Sequence, residues 1–137
     1  MPTRKSEAKR PARLPASVSL ALDQAKIMGV RAGAPSQHRF TGVWVVVVDG
    51  RAFARSWDVR PGGWFESFRE ARDGAIQVGA RAVRVTGRVV RGERLLDAIE
   101  AAYAAKYSTP ASKAWVRGFR APRRRRATLE FLPRSAR

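Results

Sequence analysis

The sequence predicts an α+β protein, a small antiparallel β-barrel with helices packed around it. Three observations predict it: short runs of β-branched residues recur along the 137-residue chain, turn dipeptides separate them, and two segments carry apolar residues at helical spacing. A chain of this length fits one domain and can bury roughly two thirds of the surface that its unfolded form exposes.

The most informative stretch is a predicted hairpin over residues 43–57. Residues 43–48 are all apolar and five of the six are valine, as expected for a strand buried on both faces. Asp49-Gly50 then predicts a two-residue turn, because Gly adopts the positive φ that such turns require. In the second strand, residues 51–57, the alternation places Ala52, Ala54 and Ser56 on one face and Arg51, Phe53, Arg55 and Trp57 on the other.

The segment before the hairpin begins with a predicted disordered basic tail, residues 1–16, which contains three prolines and five basic residues. Ser17 or Ser19 is predicted to cap a short helix that ends near Lys26. Residues 27–31 then predict a first strand, and residues 33–37 a loop.

The segment after the hairpin predicts a helix over residues 64–73, because Trp64, Phe65, Phe68 and Ala71 recur at helical spacing. Gly74 is the predicted C-terminal cap of this helix. Residues 75–78 and 81–91 predict two strands joined by a turn at Gly79-Ala80. Gly87 indicates a bulge or a bend in the longer one.

The last third of the chain predicts a helix over residues 93–107 that Thr109-Pro110 ends, and a further helical piece over residues 111–119. Residues 128–132 predict the final strand, from which Pro133 is excluded because it has no N–H. Residues 17–134 would form a single domain, followed by a C-terminal tail over residues 135–137.

The charge of the chain is strongly basic, +17 from 28 basic and 11 acidic residues. Such a charge attracts polyanions but says nothing about fold. A nonspecific nucleic-acid or polyanion contact is therefore one hypothesis, through the N-terminal tail and the run Arg123, Arg124, Arg125 and Arg126. The alternative is an ordinary solvated basic surface.

The residue types exclude several kinds of site. The chain has no cysteine and only one histidine, His38, so disulfides, cysteine metal sites, zinc hydrolases and histidine-based triads are not expected. No metal site is predicted, and His38 is expected to be a solvated loop residue. The absence of an apolar signal sequence and of a membrane-length apolar run predicts a cytoplasmic protein with no membrane contact.

A candidate anion site lies between the hairpin and the helix that follows it. Arg55, Ser56 and Arg60 are close in sequence to the predicted start of the Trp64 helix, and guanidinium forks, a hydroxyl and free N–H groups together can hold a phosphate. The alternative is a surface ion pair with Asp58 or Glu66.

Aromatic residues offer two further hypotheses. Trp44, Trp57 and Trp64 can stack on a planar ligand or pack in the core. Tyr103, Lys106 and Tyr107 share a helix face and can perform acid–base chemistry or simply pack on the barrel.

Four sequence motifs resemble an uncharacterised bacterial family of unknown function. They are W-V-V-V-V-D-G-R-A-F-A-R-S-W (44–57), G-W-F (63–65), A-Y-A-A-K-Y (102–107) and T-L-E-F-L-P-R (128–134). That family is in turn distantly similar to the flavin-binding split β-barrels, which include the pyridoxamine phosphate oxidases and the deazaflavin-dependent nitroreductases.

The resemblance implies a split barrel with two or three flanking helices that dimerises and binds FMN or a deazaflavin at the dimer groove. By position, it implies cofactor contacts from Ser56, Gly62, Gly63 and Trp64. The basic pair that the pyridoxamine oxidase branch carries on the strand before the loop is missing, and only Arg55 and Arg60 lie nearby.

Three hypotheses about function remain open at this point. The first is a homodimeric flavin-nucleotide binding protein, with or without oxidoreductase activity. The second is a basic accessory protein that binds nucleic acid or another polyanion, and the third is a cofactor-free structural relative.

Overall fold

A computed structural model describes residues 13–34 and 39–134. His38, most of the predicted N-terminal tail, part of the predicted 33–37 loop and the predicted C-terminal tail lie outside the described residues. In chain order, the described elements are α1 (Ala16–Gln24), β1 (Ile27–Ala32), β2 (Thr41–Trp44), β3 (Val46–Val48), β4 (Arg51–Arg55), α2 (Trp64–Ala71), β5 (Asp73–Val78), β6 (Arg81–Val89), α3 (Glu93–Lys106), α4 (Pro110–Gly118), α5 (Pro122–Arg126) and β7 (Thr128–Pro133).

The strands form one antiparallel sheet in the order β2-β1-β5-β6-β7-β4-β3. Strands β2 and β3 occupy opposite edges, yet only Val45 separates them in sequence. The chain from Thr41 to Val48 therefore runs from one edge to the other and nearly closes the sheet into a barrel. The predicted α+β antiparallel barrel is confirmed.

The hairpin prediction is confirmed in its turn and in the faces of residues 51–55, but the second strand ends at Arg55, so Ser56 and Trp57 lie in the following loop. Val48 pairs with Arg51, and Asp49 and Gly50 have φ values of 52° and 73°, as a primed two-residue turn requires. The prediction of one continuous strand over residues 43–48 is wrong, because the strand breaks at Val45, where the chain leaves one edge of the sheet for the other.

Two apolar clusters stabilise the fold, and the alternating faces of β4 separate them. Ala52 and Ala54 lie in the barrel interior, which α1 and α2 cover. Phe53 points to the opposite side, into a second cluster under α3 and α4 that includes Ile99 and Tyr103. Leu14 is buried in the barrel interior as well, so the ordered fold begins before the predicted boundary at residue 16.

Helix termini account for most of the other differences. Helix α1 starts after Pro15 without a side-chain cap, so the predicted Ser17 or Ser19 cap is wrong. Helix α2 ends at Ala71, and the positive φ expected of Gly74 occurs instead at Arg72, with φ 67°. Thr109 is not the last residue of a helix. It is the N-cap residue of α4, where its hydroxyl accepts a hydrogen bond from Ser112 N–H at 3.2 Å.

Two glycines in the strands allow the barrel to pack closely against α2. A Cβ at Gly74 would lie 2.2 Å from the carbonyl oxygen of Arg31 and 2.7 Å from the ring of Phe68. A Cβ at Gly87 would lie 2.9 Å from the same ring.

Strand β7 extends one residue further than predicted, since Pro133 is in register with Val85 at the end of the ladder.

Among the described residues, no helix is both long enough and apolar enough to span a membrane.

Candidate functional site

A cavity of about 570 Å³ lies between the barrel and α4, and all four tryptophans of the sequence line it. They come from four separate segments: the end of β2, the loop after β4, the start of α2 and the middle of α4. We call it the four-tryptophan cavity. Its wall consists of Ile27, Thr41, Gly42, Val43, Trp44, Arg55, Ser56, Trp57, Asp58, Gly62, Gly63, Trp64, Trp115 and Phe119.

Arg55 is a buried cation in the wall of this cavity, and its side chain is 0% exposed. Its guanidinium donates to Thr128 Oγ1 at 2.7 Å, to Glu100 Oε2 at 3.0 Å and to the carbonyl oxygen of Phe119 at 3.0 Å. Burial lowers the pKa of Arg55, and the hydrogen bond to Glu100 opposes this shift. The remaining nitrogen, Nη2, is also buried and has no hydrogen-bond partner among the described residues.

Ser56 and Arg60 do not form the predicted phosphate anchor. The Ser56 hydroxyl donates to the carbonyl oxygen of Asp58, so its proton is already used. Arg60 is outside the cavity wall; its side chain is 78% exposed and pairs with the Asp58 carboxylate at 2.6 Å. The surface ion pair with Asp58, the alternative given by the sequence, describes Arg60 in the structure.

The start of α2 faces the four-tryptophan cavity through Gly62, Gly63 and Trp64. Gly63 is the N-cap residue and provides no side-chain cap. Among the described residues, the N–H groups of residues 64–66 have no hydrogen-bond acceptor, whereas Ser67 N–H donates to the Gly63 carbonyl at 3.0 Å. Free N–H groups at a helix start favour an anion.

The rings of the cavity are held by specific contacts. Trp44 stacks on Tyr107 with ring centroids 4.1 Å apart. Trp57 contacts Trp115 edge to face at 4.8 Å, and the guanidinium of Arg124 lies 3.4 Å from the Trp57 ring centroid. Trp57 and Trp115 are nevertheless exposed, because they lie at the mouth of the cavity.

The motif A-Y-A-A-K-Y of α3 holds the break between β2 and β3. The Tyr103 hydroxyl accepts from Arg55 N–H at 2.9 Å and donates to the carbonyl oxygen of Trp44 at 3.0 Å. The Tyr107 hydroxyl accepts from Val45 N–H at 3.0 Å, and Lys106 Nζ donates to the Val45 carbonyl at 2.8 Å. We call Tyr103, Lys106 and Tyr107 the tyrosine clasp.

Burial alters the ionisation of the clasp. It raises the pKa of Tyr103 above the usual range of a phenol and raises the pKa of Tyr107 to about 12, while it lowers the pKa of Lys106. Raised phenol pKa values oppose acid–base work near neutral pH. These contacts favour the structural interpretation of the motif over the catalytic one.

The four arginines of the run, Arg123 to Arg126, have different environments in the structure. Arg124 stacks on Trp57, and Arg125 donates to carboxylates of α3 at Glu93, Asp97 and Glu100. These contacts raise the pKa of Arg125, chiefly through the hydrogen bonds to Glu93 and Glu100. Arg123 and Arg126 are exposed and make no ion pair within residues 13–34 and 39–134.

The cavity brings together Arg55, Ser56, Gly62, Gly63 and Trp64, five of the six residues that the sequence nominated. The sequence reasoning missed Trp115 and Phe119, which α4 contributes. Their spacing of four residues on a predicted helix was the available signal, because it places both rings on one helix face. In the described part of the chain, no cluster of His, Cys, Asp and Glu could hold a metal ion.

The chain belongs to a bacterial protein family. The DUF2255 family, described as uncharacterised proteins conserved in bacteria, matches residues 20–131. No curated protein matches the sequence significantly.

Solved structures share the fold at low sequence identity. The conserved hypothetical protein Rv2991 from Mycobacterium tuberculosis has a TM-score of 0.59 and 11% identity, over 94% of this chain and 84% of the other. A putative pyridoxamine 5'-phosphate oxidase from Listeria innocua has a TM-score of 0.59 and 13% identity, over 87% and 92%. An FAD-binding protein from Mesorhizobium loti has a TM-score of 0.55 and 13% identity, over 89% and 91%. The fold is therefore that of the split barrels.

Proposed function

We propose that this member of the DUF2255 family binds a flavin nucleotide, FMN or a deazaflavin, in the four-tryptophan cavity. The observation that carries the proposal is the convergence of all four tryptophans on one cavity of about 570 Å³. Ligand sites typically have volumes of about 300–1,000 Å³, apolar walls and a few polar groups. Flat aromatic side chains suit a planar ring system.

Two polar features of the wall support a flavin nucleotide over a purely apolar ligand. The buried guanidinium of Arg55 places a positive charge behind the cavity wall, which favours an electron-rich or anionic ligand. The free N–H groups at the start of α2 offer a place for a phosphate. The proposal therefore assigns the phosphate to the N–H groups of residues 64–66 and leaves Arg60 out of the site.

The likeness in fold to an FAD-binding protein and to a putative pyridoxamine 5'-phosphate oxidase adds support from the architecture. A bound flavin would supply hydride or electron transfer, and the chain would supply position and an electrostatic field. The reaction class that follows from the proposal is oxidoreduction.

We also propose that a second copy of the chain covers the mouth of the cavity. Ile27, Trp57 and Trp115 lie on the cavity wall and are 49%, 38% and 53% exposed. Large apolar side chains exposed together favour a protein interface. Trp115→Glu should then convert a dimer to a monomer in sedimentation analysis; a wild-type monomer would contradict this part of the proposal.

The first experiment titrates the purified full-length protein with FMN, riboflavin and a deazaflavin while tryptophan fluorescence is recorded. Because every tryptophan lines the cavity, binding there should quench the emission in a saturable way and shift the visible flavin bands. Absence of saturable quenching by all three compounds would refute flavin binding and favour the cofactor-free alternative.

Gly63→Asp and Gly63→Ser form a matched pair that tests the phosphate position. Gly63 has φ −73° and ψ 166°, which both side chains tolerate, and its added Cβ would lie 3.3 Å from the Arg60 carbonyl in either variant. Both residues are good N-caps, so stability should change only by a few tenths of a kcal/mol.

Only the aspartate adds a negative charge beside the proposed phosphate. At contact distances this costs at least about 1 kcal/mol, or roughly fivefold in affinity. FMN should therefore bind the aspartate variant at least about fivefold more weakly than the serine variant, while riboflavin, which has no phosphate, should bind both equally. Equal losses for FMN and riboflavin would place the phosphate elsewhere.

A further inference from the structure

A second concave surface lies along β6, between α2 and α5. Two neighbouring cavities of about 380 Å³ and 410 Å³ share Arg69, Val89 and Arg91 in their walls, so they form one continuous groove. Six arginines line it against a single acid, Glu66. We call it the arginine groove; its arginines are Arg69, Arg72, Arg88, Arg91, Arg123 and Arg126.

Most of this positive charge is not neutralised. Arg72, Arg91, Arg123 and Arg126 are exposed, and the described residues offer no ion-pair partner to any of the four. Arg69 pairs with Glu66 at 3.0 Å. Arg88 pairs at 2.7 Å with Glu130, whose carboxylate Arg51 also contacts. The groove is therefore a concentrated anion-attracting surface.

The fold directs the two ends of the arginine run into this groove. Helix α5 turns Arg124 towards Trp57 and Arg125 towards α3, where both are held. Arg123 and Arg126 are three residues apart, so they share a helix face, and both line the groove. Half of the run stabilises the fold and the other half remains available for a partner.

We propose that the arginine groove binds the phosphate backbone of duplex nucleic acid without reading its sequence. Guanidinium groups match phosphate oxygens with paired hydrogen bonds, and several of them along a groove can follow successive phosphates.

The lining favours nucleic acid over a membrane surface. The large apolar side chains exposed in the described residues are Leu20, Ile27, Trp57 and Trp115, and none of them lines the groove. A membrane-binding surface needs apolar side chains that insert beside the cations. Single strands are bound with aromatic stacking platforms, and the aromatic ring at this groove, Phe65, is only 5% exposed.

The test compares two triple variants with the same change in net charge. Arg91→Ala/Arg123→Ala/Arg126→Ala removes three unpaired cations from the groove. Lys113→Ala/Arg117→Ala/Arg120→Ala removes three exposed cations from α4 and the turn after it, outside both cavities. Both variants keep the full chain, so any contribution of the N-terminal residues is the same.

Fluorescence anisotropy with two short labelled duplexes of unrelated sequence provides the measurement. Each phosphate contact contributes about 0.9 to the slope of log K against log salt. The groove variant should therefore bind on the order of 10²-fold more weakly at about 0.1 M salt, with a slope lower by about 2–3, while the control variant stays within a few-fold of wild type.

Several outcomes would overturn the proposal. They are equal weakening of both triple variants, absence of duplex binding by the wild type, affinity that differs strongly between the two duplexes, and binding to anionic vesicles in preference to duplex. Circular dichroism melting of each variant shows that the fold is intact, as expected for exposed arginines. Flavin titration of the groove variant should be unchanged, so this proposal and the flavin proposal can fail separately.

Discussion

Tyr103→Phe removes a single hydroxyl from the tyrosine clasp and tests whether α3 closes the barrel. Tyr103 is 0% exposed, and among the described residues its hydroxyl alone bridges the Arg55 N–H of β4 and the Trp44 carbonyl of β2. Without it, a buried donor and an acceptor lose their partner at the point where the two strands diverge.

The expected cost follows from those two groups. Each unsatisfied buried polar group costs about 1–3 kcal/mol, and the ring of Phe retains the apolar packing of Tyr. Because the Trp44 carbonyl is only partly buried, we expect the lower part of the summed range, a fall of about 2–4 kcal/mol in the free energy of unfolding, out of the 5–15 kcal/mol that is typical of a domain.

Urea unfolding followed by far-ultraviolet circular dichroism measures this free energy. Ser112→Ala is the control, since Ser112 is also buried but its hydroxyl bonds only to Thr109 at the start of α4. It should cost less than about 1 kcal/mol. A Tyr103→Phe variant within about 0.5 kcal/mol of wild type would show that the barrel closes without the clasp.

Three further predictions follow from burial and packing. Tyr103 and Tyr107 are the two tyrosines of the sequence. The pKa of Tyr107 is raised from 10.0 to about 12, so folding favours its neutral phenol. The contribution of Tyr107 to stability is therefore full below pH 10 and is lost as pH rises to about 12. Tyrosinate absorbance should therefore appear together with unfolding, and titration near pH 10 in the folded state would contradict this. Burial acts to raise the pKa of Glu130, but hydrogen bonds from Arg51 and Arg88 outweigh it and lower the pKa. The contribution of Glu130 to stability is therefore present above the usual carboxyl range and lost as pH falls. Glu130→Gln weakens charge-assisted hydrogen bonds to two partly exposed arginines, so it should cost about 2 kcal/mol at neutral pH and flatten the acid limb of a stability–pH curve. Gly74→Ala should cost about 3 kcal/mol or more because its Cβ collides with backbone. Gly92→Ala has nothing within 4 Å of the added Cβ and should cost about 1 kcal/mol or less, because Gly92 is the N-cap residue of α3 and Ala caps less well.

Local signals explain what could be predicted of the fold. Asp49-Gly50 contains the whole turn within two residues, so the hairpin needs no information from elsewhere. The break at Val45 has no such signal, because apolar strand-forming residues, Trp44 and Val46, flank it on both sides. Lys106 and Tyr107, about 60 residues later, satisfy the Val45 backbone that the break frees from the ladder.

The candidate site likewise combines residues that local sequence could predict with residues that only long-range packing brings in. Ser56, Gly62, Gly63 and Trp64 are close in sequence, and a motif could nominate them together. The position of the Arg60 side chain depends on Asp58, which accepts hydrogen bonds from both the Arg60 backbone and its guanidinium. Trp115 and Phe119 reach the cavity only through the packing of α4, a long-range contact that composition and spacing leave open.

The clasp also connects the closure of the barrel to the shape of the four-tryptophan cavity. The Tyr103 hydroxyl bonds the backbone of Trp44 and of Arg55, and the Trp44 ring stacks on Tyr107. Both Trp44 and Arg55 line the cavity, so loss of this hydroxyl loosens two of its walls before the domain unfolds. If the cavity binds FMN as proposed, Tyr103→Phe should weaken binding several-fold without denaturant, where circular dichroism still shows a folded protein. A variant that is destabilised as expected but binds FMN like wild type would show that the cavity walls are positioned by the rest of the barrel and not by the clasp.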